Sequence, residues 1–137
     1  MDDKIDKNKK IEFIIADLIK FTGENKIQWQ YTNNNGEVSK MIYKILGQKV
    51  PSYDGYFTTD NCFYTKINNG YISVIEWSSS TTPSKYYLAI APDIGAKVFE
   101  VYDTLQVQIA RLHSLILRKF PNIDLYLTDV FNTFKNI

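Results

Sequence analysis

The sequence predicts an α+β domain with an N-terminal helix, an antiparallel meander of about five strands, and C-terminal helices on one sheet face. Three observations predict it. A helical apolar stripe runs through the first twenty residues, period-two alternation recurs between residues 26 and 102, and a second helical stripe begins after Asp103. At 137 residues and 45% hydrophobic content, the chain reads as a single domain, 1–137. A domain of that size buries a core without disulfides or a structural metal.

The first helix follows from Ile11, Ile14, Ile15, Leu18 and Ile19, an i, i+3, i+4, i+7, i+8 series. Thr22-Gly23 should end it, because glycine accepts a left-handed conformation past a helix terminus. Ile27, Trp29 and Tyr31 then alternate with polar residues, as a half-buried strand requires, and Asn33-Asn34-Asn35-Gly36 turns the chain. Residues 33–57 read as an insertion between strands or a mobile loop. Within it, Met41, Ile42, Ile45 and Leu46 suit two turns of helix ended by Gly47, with a strand nearly as good a fit.

Cys62 to Ile67 and Tyr71 to Trp77 flank Asn69-Gly70, a hairpin signal, since a type I′ turn needs positive φ at both central residues. A two-residue turn there sets Ile67 opposite Ile72 and Thr65 opposite Val74 on one face. On the other, Tyr64 opposes Ile75 and Cys62 opposes Trp77. Lys85 to Ala91 and Lys97 to Tyr102 continue the meander around Pro92-Asp93-Ile94-Gly95. Asp103 or Thr104 can cap the next helix, whose stripe is Leu105, Ile109, Leu112 and Ile116 and which Pro121 ends. Asn122 to Ile137 reads as a shorter helix packing Leu127, Val130, Phe131 and Phe134.

A helix ending in Phe21-Thr22, then Lys26-Ile27-Gln28-Trp29, a meander and a closing helix resembles a loose group of small uncharacterised bacterial proteins. The motif is a Thr at a helix end followed by Lys-Ile-x-Trp. The resemblance covers most of the chain and implies the helix-meander-helix fold. It carries no catalytic residue with it.

Charge narrows the function classes. Sixteen Lys plus Arg stand against fifteen Asp plus Glu, a net charge of +1. A polyanion binder normally concentrates a basic excess on one face, so neither nucleic acid nor a membrane surface is the expected partner. A single cysteine suits a reducing compartment, and the N-terminus shows no apolar segment of signal-peptide type, which together predict a cytoplasmic protein.

The candidate chemistry is sparse. His113 is the only histidine and no motif supplies it a partner, so it reads as a surface or rim residue rather than a general base. Cys62, in a packed strand with no flanking cation, reads as a small core hydrophobe. One His and one Cys cannot build a zinc tetrad, and no metal or cofactor is expected. Glu76 and Glu100 are the one pair of carboxylates that can approach across the meander, though solvated strand positions are the plainer reading. The Ser78 to Ser84 segment with Lys85 reads as a polar loop rather than a phosphate cradle. Arg111 and Arg118, seven residues apart, share a helix face.

The aromatic content, 15% with ten Tyr, exceeds what a core of this size needs. Tyr64, Tyr71 and Trp77 fall on one sheet face, with Tyr86 or Tyr87 joining from the next strand. Two long helices cover only one face of a small sheet, so the other must be covered by the Glu37 to Tyr56 insertion, by the terminal helix or by another molecule. The sequence therefore points to a non-enzymatic protein-interaction module, by analogy inhibitory, immunity-type or phage-encoded, that presents this face to a partner protein or a second copy. The alternative is a small-molecule or nucleotide binder with a Tyr/Trp-lined pocket in which Arg111 or Lys85 holds an anionic group.

Overall fold

A computed structural model describes residues 3–49, 62–78, 83–95, 97–120 and 123–137. Helix α1 (Asp3–Gly23) leads into a two-residue strand β1 (Gln30–Tyr31), a 3-10 turn (Thr32–Asn34) and helix α2 (Gly36–Lys49). Strands β2 (Cys62–Ile67), β3 (Gly70–Trp77), β4 (Lys85–Ala91) and β5 (Glu100–Tyr102) follow, then helices α3 (Gln106–Leu117) and α4 (Ile123–Lys135). The five strands form one antiparallel sheet in the order β1-β2-β3-β4-β5. This is the α+β class read from the sequence.

Strand alternation divides the side chains between two cores. On one face Phe63, Val74 and Leu88 meet Ile11, Ile15 and Leu18 of α1 and Ile109, Leu112 and Ile116 of α3. On the other, Cys62, Tyr64, Ile75, Trp77, Tyr87, Ala89 and Ala91 meet Val38, Met41, Ile42 and Ile45 of α2. Ile42, Ile45 and Val38 are fully buried. The segment 33–57 lies between β1 and β2, and of the two readings of Met41 to Leu46 the structure has the helical one: 36–49 is a helix that contributes to the second core, and 50–57 lies outside the described residues.

Local chemistry accounts for where α1 and α2 end and begin. The Asn35 side-chain oxygen accepts from the backbone N–H of Glu37 and Val38 at 3.0 and 3.2 Å, an N-cap that satisfies two otherwise unpaired donors. At the end of α1 the left-handed residue is Asn25 (φ 61°), not Gly23, and the Lys26 N–H reaches back to the Phe21 carbonyl at 2.8 Å. The expected Asp103 or Thr104 cap of α3 is also corrected. Leu105 occupies that position without a side-chain hydrogen bond.

The β2-β3 hairpin corrects the expected pairing. Its turn is Asn68-Asn69, with Asn68 at φ 57°, so Thr65 pairs with Ile72, Tyr64 with Ser73 and Cys62 with Ile75. Every partner moves by two residues, and because the side-chain period is also two, every residue keeps its face. Gly70 begins β3 for a steric reason. A Cβ there would lie 2.9 Å from the Ala91 carbonyl oxygen.

Candidate functional site

The aromatic sheet face is built as the alternation predicts, but α2 covers most of it. Trp77, Tyr87 and Tyr64 are all buried beneath or beside that helix. Tyr86 points the other way, into the core under α1 and α3, where its hydroxyl donates to Glu76 Oε2 at 2.9 Å. Arg111 is exposed on α3, across the sheet from Trp77. An open aromatic face of Tyr64, Tyr71 and Trp77 with Tyr86 or Tyr87 is therefore corrected: Tyr87 is the one that joins, the face is mostly covered, and Arg111 lies apart from it. Two helices cover one face, and the third covers the other.

One end of the face remains accessible. Tyr64 and Tyr71, ring centroids 6.1 Å apart, line a cleft of about 570 Å³ with Lys26, Gln28, Gln30 and Lys66. Lys66 Nζ stands 6.0 Å from the centre of the Tyr71 ring, and Lys26 Nζ is 3.1 Å from Glu24 Oε1. Lys66 thus stands beside a phenol, whereas the Lys26 ammonium, held by Glu24, lies 5.6 Å from the centre of the Phe21 ring. Lys85, by contrast, sits over Trp77 at the far end of β4.

His113, Cys62, Glu76 and Glu100 are the residues whose chemistry the sequence singled out. His113 is buried, not at a rim, with ring centroids 5.4 Å from Phe63 and 5.3 Å from Tyr86. Cys62 is fully buried. Glu76 and Glu100 are not brought together. β4 separates their strands, Glu76 accepts from Tyr86, and Glu100 pairs with Tyr102 and Lys7. Burial, then the adjacent carboxylate, pushes the Tyr86 and Tyr102 phenols above the ordinary tyrosine range. Tyr87 is raised by burial and by the charge of Asp103. Among the described residues, no cluster of three or more His, Cys, Asp or Glu side chains is placed to hold a metal, and no buried polar side-chain atom lacks a partner. Most of the Ser78 to Ser84 segment lies outside the described residues.

The largest contiguous departure from ordinary burial is α4. Ile123, Leu125, Tyr126, Leu127, Phe131, Phe134 and Ile137 are all exposed, Leu127 by 57% and Phe134 by 69%. The expectation that this helix packs Leu127, Val130, Phe131 and Phe134 is corrected: the helix forms, but only Val130 is half-buried. Its spacing is legible in the sequence, but an apolar stripe reads the same whether it meets a core or solvent.

No family model matches the chain, and no curated protein or solved structure is significantly similar to it.

Proposed function

We propose that this protein is a non-enzymatic protein-interaction module whose contact surface is the apolar face of α4. The observation that carries the reading is the exposure of that face in a chain whose other three helices bury theirs. Large apolar surfaces left open by a folded domain mark interaction sites, and aromatic residues supply much contact area with few rotors. Part of the aromatic content is thus closed under α2, part lies in the core with α1 and α3, and part is carried outward by Tyr126, Phe131 and Phe134.

The reading is tested by placing a photo-crosslinking residue at Phe131, and separately at exposed Lys9 of α1, in cells. The expected result is a discrete protein adduct at 131 that is absent at 9. Irradiation that yields no adduct at 131 overturns it.

A second reading rests on the Tyr64-Tyr71 cleft, where Lys66, beside Tyr71, favours a small aromatic anion. Thermal-shift screening against nucleotides and aromatic acids, with Lys66→Ala as the control, distinguishes it. A ligand-dependent rise in melting temperature that the variant abolishes favours the cleft.

A further inference from the structure

We propose that the partner of α4 is α4 of a second copy of this chain, paired antiparallel. The proposal rests on the interaction reading above and names its occupant. Ile123, Leu127, Val130 and Phe134 follow one another at spacings of four, three and four residues, which suits side chains that interdigitate with another helix. A 13-residue helix is marginal by itself in water, so one whose apolar face meets no core draws its stability from a partner.

Area and charge select a second copy. Tyr126, Phe131 and Phe134 bring about 150–250 Å² each when fully buried. These side chains are already partly covered by their own chain, so with Ile123 and Leu127 added the helix offers roughly 600 Å², above the roughly 500 Å² per partner at the low end of specific interfaces. Asp124 lies in the first turn, Asp129 in the second, and Lys135, the one base of the helix, in the last. Antiparallel pairing sets Asp124 of each helix beside Lys135 of the other and opposes the two helix dipoles, whereas Asp129, at the midpoint, meets its own copy in either orientation. Parallel pairing would align like charges. Two acids against one base also set α4 against an anionic membrane surface, which draws basic helices.

The antiparallel register with the longest overlap places Ile123 against Phe134 of the second copy and Leu127 against Val130 of the second copy. Each layer then joins a larger side chain to a smaller one.

The test is light scattering on the full chain with Val130→Asp as the variant: α4 lies outside both cores, so the variant keeps the near-UV circular dichroism of the two cores even where α4 itself loses helicity. The expected result is twice the chain mass for the wild type and a twofold drop in the variant. Orientation is read by oxidising a mixture of Ile123→Cys and Phe134→Cys proteins, separable by a tag. Antiparallel pairing links the two variants to each other, and parallel pairing links each to itself. A monomeric wild type overturns self-pairing, as does a Val130→Asp protein that remains a dimer. Self-linked Ile123→Cys overturns the orientation. A monomer that still crosslinks through residue 131 to a different protein leaves the interaction reading standing while self-pairing falls.

Discussion

The side-chain amide of Gln106 hydrogen bonds both backbone groups of Tyr86. The Tyr86 N–H donates to Gln106 Oε1 at 2.9 Å, and Gln106 Nε2 donates to the Tyr86 carbonyl at 2.6 Å. β5 pairs with β4 only at Leu88, Ala89 and Ile90, so one residue of α3 supplies the next rung of the ladder in place of a strand. The same Nε2 donates to the Asp103 carbonyl, which ties the loop before α3 to the sheet edge.

Gln106→Ala leaves the Tyr86 N–H and carbonyl without their partner, at a cost of about 1–3 kcal/mol. Gln106→Glu loses the donor and sets a carboxylate against the Tyr86 carbonyl, so it does not rescue stability. Urea denaturation measures both, and amide exchange at Tyr86 quickens in each variant. Unchanged exchange at Tyr86 would remove the rung from the account.

Thr22 and Trp29 form a second junction. The Trp29 indole N–H donates to the buried Thr22 hydroxyl at 2.9 Å and pins the segment after α1 to the end of that helix. Thr22→Val keeps the shape and orphans the indole, which costs about 1–3 kcal/mol, whereas Thr22→Ser retains the acceptor and most of the stability. Equal melting of the Val and Ser variants would show that the hydroxyl contributes nothing.

Ile42 tests whether α2 belongs to the core. Truncating a fully buried isoleucine costs about 2–5 kcal/mol, so Ile42→Ala should lower the urea midpoint strongly. A change under about 0.5 kcal/mol, typical of surface positions, would return α2 to the status of an appendage.

Alkaline pH acts through Tyr86, Tyr87 and Tyr102, whose phenols lie above the ordinary range chiefly because burial disfavours the phenolate. The unfolded chain gives up these protons first, near pH ~10. Their contribution is therefore complete below about pH 10 and is lost as pH rises from there through the folded-state values. Urea midpoints fall across that window, and absorbance at 295 nm shows a late-ionising fraction that shrinks in Tyr102→Phe. A midpoint flat up to about pH 11.5 would contradict the assignment.

Much of the fold was legible because its signals are local. Period-three-to-four stripes located α1, α3 and α4, and alternation assigned Tyr64 and Trp77 to one face and Thr65 and Val74 to the other. The hairpin shows where that stops. Alternation sets the face, but the turn sets the partner, and Asn68 rather than Gly70 took the positive φ. Gly70 is glycine because of the Ala91 carbonyl, a neighbour from another strand.

The site was less legible. Tyr64, Tyr71, Trp77 and Tyr87 share a face as their positions imply, yet coverage by α2 is a long-range contact that no local pattern records. The exposed stripe of α4 has the same form as the buried stripe of α1.

The sequence by itself determined which residues are apolar neighbours along each helix and strand, because backbone geometry repeats every 3.6 or every two residues. Only the tertiary structure decided which of those faces meet. That choice depends on contacts between distant segments, and it closed the aromatic sheet beneath α2 while leaving the face of α4 open.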